Sequence, residues 1–209
     1  MTAAMTTVVL TRHGHVEGIT PERFRGRRET PLTALGRAQA DAVAARIART
    51  WKPAAVYTSP MGRCVETGAA IAQACGVGAT AIAALNDLDY GTWEWRTLDE
   101  IRAAEPALYA CWFTTPERMR FPGGETLAEL VARTAGAIRF ATERHARDTV
   151  VLVGHLSVNR ALLLQCLDMP LSAYWRLEQQ PCTLNEIVIE GERTRVLRVN
   201  DAQHIEGLR

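Results

Sequence analysis

Arg12-His13-Gly14 stands directly after the β-branched run Thr7-Val8-Val9-Leu10-Thr11, and far along the chain Gly154-His155 closes a second such run, Thr149 to Val153. A phosphate monoester dianion repels nucleophiles and has a poor leaving alkoxide. A site that cleaves it must neutralise charge, supply a nucleophile and protonate the leaving oxygen. Arg12 and His13 offer the first two side by side, since a guanidinium matches phosphate oxygens bidentately and neutral imidazole is nucleophilic. Arg63 follows Thr58-Ser59-Pro60-Met61-Gly62, in the first turn of a helix that begins directly after a strand. Orphan N–H groups and the helix dipole already favour an anion there. Taken singly, a strand-end histidine is usually structural and Arg63 is an ordinary surface arginine; the combination is what points to phosphate chemistry. Arg23, Arg25, Arg27 and Arg28 form a basic stretch near the first motif. Arg23 and Arg28 read as solvated surface. Arg25, beside Gly26, is a candidate for a second anionic group of a substrate, and Leu156, next to His155, completes the candidate substrate contacts.

These residues need a scaffold that brings distant segments to one place. Both apolar runs are short and uninterrupted by charge, as buried central strands of a parallel or mixed sheet are. Between them the sequence predicts a helix from about Thr33 to Thr50, a strand Ala54 to Thr58, a helix entered through Ser59-Pro60 with proline at its first position, and a capping box at Thr97-Leu98-Asp99-Glu100. A helix from Glu125 to Arg147 precedes the second run, with His145 inside it. A leucine-rich helix from Leu156 to Leu167 follows, and strands Leu184–Glu190 and Arg193–Val199 flank Gly191 as a closing hairpin. Strands alternating with helices predict a three-layer α/β/α sandwich with a mostly parallel central sheet, in one domain over residues 1–209. Such sheets bind ligands beyond the carboxyl ends of their strands, where His13 and His155 both fall. Residues 96–122, with short helices and several aromatics, read as a small helical cap insertion over that crevice.

Composition narrows the function further. The 209 residues carry 24 Lys+Arg against 23 Asp+Glu, a net charge of +1, so nothing global recruits nucleic acid or an anionic membrane. Cys64, Cys75, Cys111, Cys166 and Cys182 are odd in number, form no CxxC pair and lack an arginine six positions later. That pattern argues against a disulfide framework, a zinc knuckle and a cysteine-based phosphatase loop, and leaves the cysteines as buried small hydrophobes. Met1 to Thr7 has no basic region followed by a long apolar stretch, and no apolar run reaches membrane-spanning length, so a cytoplasmic protein is expected. Oligomeric state is not legible in the sequence.

The blocks of the chain, taken in order, resemble the histidine phosphatase superfamily, in its phosphoglycerate-mutase-like branch. Val8-Val9-Leu10-Thr11-Arg12-His13-Gly14 is similar to the opening signature, and Gly26 with Glu29-Thr30-Pro31-Leu32-Thr33 to the second block. Tyr57-Thr58-Ser59-Pro60 with Arg63 resembles the third, Leu85 to Glu94 the fourth, Phe121 to Thr126 the fifth, and Val153-Gly154-His155 with Leu197 to Asp201 and His204 the last. The resemblance implies that His13 becomes phosphorylated, that Arg12, Arg63 and His155 hold the phosphoryl oxygens, and that Asp87 protonates the leaving group and then activates water. Members more often carry Glu at the donor position, so Asp89 and Glu94 are alternative donors and Glu17 a more distant one. No metal and no cofactor are implied, and the expected substrate is a small phosphorylated metabolite. His15-Val16-Glu17 and Trp95 depart from the common pattern, so substrate choice is not inherited from it.

Two other readings compete. His13-Gly14-His15 is an HxH pair of the kind metal-dependent hydrolase barrels place at a strand end, although such barrels run to about 250 residues and need further ligands. A mutase would use the same phosphohistidine, with a sugar-acid hydroxyl instead of water as acceptor; the compact stretch from Asp87 to Gly123 resembles the phosphatase members. Guanidinium groups near His13 lower its pKa from about 6.5 and keep it neutral for attack, while a protonated donor is needed at the leaving oxygen. The coupled set favours activity at mildly acidic to neutral pH, and a rate peak well above about pH 9 would contradict it.

Overall fold

The computed structural model describes residues 5–208; the first four residues of the N-terminal reading and the last residue of the chain lie outside them. Six strands form one sheet: β1 (Met5–Arg12), β2 (Ala55–Thr58), β3 (Ala79–Ala81), β4 (Thr149–Gly154), β5 (Leu184–Glu190) and β6 (Arg193–Asp201), in the order β3-β2-β4-β1-β5-β6. The first four in that order are mutually parallel, and β5 and β6 add antiparallel to the edge. The sheet is therefore mostly parallel, as the alternating strands and helices require.

Both faces of the sheet are covered, which is why the central strands read as continuous apolar runs rather than as alternating ones. Val9, Val56, Val151 and Val153 pack against Val43 and Ile47 of α1 (Ala34–Thr50) and Ile71 of α2 (Gly62–Cys75). On the opposite face Val8, Leu10, Val150 and Leu152 meet Leu127 and Leu130 of α5 (Leu127–Arg144) and Leu162 and Leu163 of α6 (Leu156–Cys166). Each such side chain contributes about 1.5–3 kcal/mol by burial. The same second face carries α3 (Leu98–Ala104) and α4 (Pro106–Thr114), anchored by Ile101 and Trp112. Trp112 lies 5.0 Å from Phe121 and 5.1 Å from Tyr174, ring centre to ring centre, so this segment is tied to the sheet side by aromatic packing.

Local chemistry explains most element ends. Thr33 caps α1 by accepting from the Gly36 N–H, and Thr97 and Thr126 each form a complete capping box with Glu100 and Glu129. The second box starts α5 at Leu127 rather than Glu125, freeing Glu125 to bind Arg133 and Arg27. α5 ends at Arg144, so His145 is not mid-helix but its cap residue, bonded to the Tyr57 hydroxyl at 2.7 Å. Pro60 precedes α2 instead of opening it. Met61 is the cap residue without a side-chain acceptor, and the Glu29 carboxylate supplies one by accepting from the Gly62 N–H at 3.1 Å. β3 is a three-residue exposed edge strand with no periodic signal to announce it. Before β5 the chain makes a 3-10 turn over Leu171–Arg176, a segment the sequence left without an assigned element. Gly14 and Gly36 mark a close approach of the β1 loop to the start of α1: a Cβ on Gly14 would sit 2.2 Å from the Gly36 carbonyl oxygen.

Candidate active site

Register brings the two histidine motifs together. Arg12 on β1 pairs with Gly154 on β4, so His13 and His155 are each the first residue beyond the carboxyl end of adjacent parallel strands. The His13 N–H donates to the Gly154 carbonyl at 3.0 Å, and the two rings stand 5.2 Å apart at 63°. Ser59 occupies the same level after β2, its N–H donating to the Val153 carbonyl at 2.9 Å.

Hydrogen bonds fix the state of each imidazole. His13 Nδ1 lies 2.7 Å from the Gly14 carbonyl oxygen, which only accepts, so the proton sits on Nδ1 and Nε2 keeps its lone pair. No protein group among the described residues hydrogen-bonds that Nε2. Burial, then the charges of Arg63 and Arg12, then His155, hold the His13 pKa well below its ordinary value. His155 is held down in the same way by burial, Arg63 and Arg12. Its Nδ1 accepts from Arg63 Nε at 3.3 Å, so its proton is on Nε2, which donates to Ser59 Oγ at 2.8 Å.

Arg63 is fully buried and saturated by acceptors. Its Nη1 donates to the Arg28 carbonyl at 2.8 Å, and its Nη2 to the Gly26 carbonyl at 2.7 Å and to Asp87 Oδ2 at 3.2 Å. Gly26 offers that carbonyl from a left-handed backbone, φ +51°, against which a Cβ would sit 2.5 Å from the Glu94 carboxylate. Asp87 is the junction: Oδ1 accepts from the Leu88 N–H at 2.9 Å, while Oδ2 lies 3.2 Å from Arg63 and 3.4 Å from His155 Nδ1. Arg12, buried at 5% exposure, donates Nη1 to the Gln179 carbonyl at 2.8 Å. Burial and the neighbouring Arg25 both disfavour its charge, and Asp87 opposes them.

Above these groups opens a narrow cleft, partly open to solvent. Arg12, His13, Arg25, Gly26, Asp87 and Leu156 line it, as do Leu98, Trp112 and Phe113 from the segment read as a cap. Arg63 and His155, both at 0% exposure, sit behind the lining and reach it through Asp87. The sequence-derived set is thus assembled in one place. The alternative carboxylates are elsewhere: Asp89 is bound by Arg27 at 3.2 Å, Glu94 accepts from the Arg27 N–H at 2.8 Å, and Glu17 borders a separate hollow with His15 and Trp95. His15 turns its Nδ1 to Thr33 Oγ1 at 3.0 Å rather than toward the His13 ring's surroundings.

Several groups at the site escaped the sequence reading. Ser59 was within reach of it, because it ends a strand at the same level as the two histidines. Glu22, Ser157, Tyr90, Arg160 and Gln179 carry no local signal and arrive by tertiary folding; Ser157 Oγ lies 3.1 Å from the Tyr90 hydroxyl on the cleft wall. Cys64 and Cys182 are buried and their thiol pKa values are pushed up by burial, whereas Cys75, Cys111 and Cys166 are half-buried. Among the described residues no helix is long and apolar enough to cross a membrane.

A family model describing the histidine phosphatase superfamily (branch 1) matches residues 8–202. Phosphoserine phosphatase 1 of Hydrogenobacter thermophilus is 27% identical over 201 residues, spanning 96% of this chain and 95% of that protein. A probable phosphoglycerate mutase GpmB of Salmonella paratyphi C is 32% identical over 183 residues, 88% of this chain and 85% of the other. The solved structure of Bacillus stearothermophilus YhfR superposes with a TM-score of 0.91 at 29% identity, covering 96% of this chain and all of its counterpart (100%).

Proposed function

Because the chain belongs to the histidine phosphatase superfamily, branch 1, we propose that it hydrolyses a small phosphomonoester metabolite through a phosphohistidine on His13, without a metal. The observation that carries this reading is the state of His13: its Nδ1 proton is tied to the Gly14 carbonyl and its Nε2 lone pair is free beside Arg12 at a cleft.

His13 Nε2 attacks phosphorus and the ester P–O bond breaks. Arg12 spreads the charge of the equatorial oxygens at the cleft wall, and Arg63 adds its field from behind the lining, where His155 stands beside it. Asp87, at the junction of Arg63 and His155, gives the leaving oxygen its proton. In the second step Asp87 takes a proton from water, whose oxygen attacks the phosphohistidine; inorganic phosphate leaves and His13 returns to its neutral tautomer. Low pKa values for both imidazoles support this order, because the resting nucleophile stays neutral down to acidic pH. Residues 96–122 act as a cap in this reading, since Leu98, Trp112 and Phe113 face the cleft. A cytoplasmic location fits five unpaired cysteines.

Hydrolysis of an aryl phosphate in excess chelator, compared between the native chain and His13→Ala, tests the proposal. Chelator-resistant turnover that disappears in the variant is expected; turnover surviving in His13→Ala would refute the nucleophile. The likeness to a probable phosphoglycerate mutase favours phosphoryl transfer to a second hydroxyl as the alternative. Formation of an isomeric phosphoester in place of inorganic phosphate would identify it.

A further inference from the structure

Asp87 lies between two single 3-10 turns, Ala83–Leu85 and Gly91–Trp93, so no strand or α-helix holds it in place. A carboxyl that must hand its proton to one particular oxygen has to be placed closely, and an error of about 1 Å can cost about a hundredfold in rate. The aspartate side chain is short, so the position of its carboxyl is set largely by the backbone that carries it. Something outside the segment must fix that backbone.

Arg133, on α5, reaches it. Its Nη1 donates to the carbonyls of Ala84 at 3.0 Å and Asn86 at 2.6 Å, and its Nη2 donates to the carbonyl of Asp87 at 2.8 Å. Glu125 accepts from the remaining N–H groups, Nε at 2.9 Å and Nη2 at 3.0 Å. All five donors of the guanidinium are thus engaged, three of them on the segment that ends at Asp87. Glu125 also works on the far side of the donor. Its Oε2 accepts from the Asp89 N–H at 3.1 Å, and its own N–H donates to the Asp89 carbonyl at 2.9 Å. Gly124 permits that approach, since a Cβ there would sit 2.3 Å from the Asp89 carbonyl oxygen.

Arg27 closes the ring through Asp89 and Glu125, but its own bond to the Asp87 carbonyl is longer, 3.3 Å from Nε. Its side chain is 37% exposed against 20% for Arg133, so water competes more for its bonds. Arg133 does not line the cleft, and any effect it has on the reaction passes through other residues. One route is its charge, which His155 feels after burial, Arg63 and Arg12. The other is the planar fork that gathers the carbonyls around Asp87, a geometry that lysine does not reproduce.

We propose that Arg133, itself held by Glu125, is the positioning residue of the proton donor: its fork fixes the backbone of Asp87 so that the carboxyl meets the leaving oxygen. This deepens the phosphatase reading and rests on it, with Asp87 as the donor.

Two esters separate positioning from mere stability: ethyl phosphate, whose alkoxide needs the proton, and nitrophenyl phosphate, whose phenolate leaves without it. Arg133→Met should lose about tenfold to a hundredfold in kcat/KM on the ethyl ester and less than about threefold on the nitrophenyl ester. Arg133→Lys, which keeps the charge and loses the fork, should show the same selectivity. Added to Asp87→Asn, the Arg133→Met substitution should cost nothing further on the ethyl ester, because no donor is left to place. Equal losses on the two esters, a native ethyl-ester rate in Arg133→Lys, or losses that multiply in the double variant would overturn the assignment. If Arg133→Met does not fold, Glu125→Gln carries the comparison, with the same selectivity expected. Failure of the native chain to hydrolyse either ester would count against the phosphatase reading alone. Amide hydrogen exchange then decides the positioning: the Leu88 N–H, which donates to Asp87 Oδ1, should exchange about tenfold faster or more in Arg133→Met while β1 and β4 stay unchanged, and an unchanged rate at Leu88 overturns it.

Discussion

Replacing Asp87 with asparagine separates the proton donor from the scaffold. The amide keeps the shape, and its carbonyl can still accept from the Leu88 N–H, now 2.9 Å from Oδ1. What is lost is the acidic oxygen 3.2 Å from Arg63 and 3.4 Å from His155. Arg63 retains the Gly26 and Arg28 carbonyls, so the fold should lose about 1–3 kcal/mol, below the full cost of breaking a buried ion pair. Catalysis should suffer more, but only where a proton is needed. General acid catalysis contributes about 10²–10⁴ in rate, or about 3–5 kcal/mol. An alkyl phosphate, whose alkoxide must be protonated to leave, should lose that factor in Asp87→Asn. A nitrophenyl phosphate, whose phenolate leaves as a stable anion, should lose less than about tenfold in its first step. The assay is kcat/KM for both esters on native and variant protein, with circular dichroism to verify folding. Equal losses for the two leaving groups would refute the assignment and move the search to Glu22 at the cleft wall.

Stability should depend on acid in a way set by the two histidines. Both pKa values are depressed in the folded chain, so the unfolded chain binds protons that the folded one refuses. Their contribution is complete above about pH 6.5 and declines as pH falls toward the folded values, at up to about 1.4 kcal/mol per pH unit for each imidazole. Urea midpoints at several pH values should show this slope, and His13→Gln should remove its share; a slope unchanged in His13→Gln would contradict the buried neutral state. Glycine substitutions should divide by surroundings. Gly14→Ala drives a Cβ into the Gly36 carbonyl and should cost more than about 3 kcal/mol, whereas Gly136→Ala, with nothing within 4 Å inside α5, should stabilise the fold by up to about 1 kcal/mol and raise the thermal midpoint accordingly. Thermal melts of both check the contrast.

The central strands were legible because their own residues bury both faces, and Val8 to Thr11 and Val150 to Val153 leave no other reading. Their similar endings put His13 and His155 beyond the carboxyl ends of their strands, facing one crevice; that the two strands are neighbours, with Arg12 opposite Gly154, came from the fold. The box at Thr97 and the helix start near Thr33 were legible because capping is a local exchange of hydrogen bonds, whereas the box at Thr126 was missed and the helix placed from Glu125. Non-local replacements were not legible. Glu29 reaches the start of α2 from 33 positions away, which no pattern around Pro60 announces. β3 is held by its pairing with β2 rather than by its own Ala-Thr-Ala. Tyr174 and Trp175 reach the cleft from an irregular turn, and Arg160 looks like one polar residue in a leucine-rich helix until its neighbours are in place.

The pairing of Arg12 with Gly154 has a wider consequence for how this protein can change. The separation of the two imidazoles is inherited from the spacing between neighbouring strands, a dimension that side-chain substitution does not adjust. Sliding β1 by one residue would also turn its whole apolar set to the wrong face, so the reacting centre is locked by the same bonds that hold the core. Leu98, Trp112 and Trp175 come from short elements outside the sheet. Variation there can reshape the space offered to a substrate while leaving the strand-borne groups untouched, which makes residues 98–118 and 171–180 the places to graft from relatives when retargeting the protein.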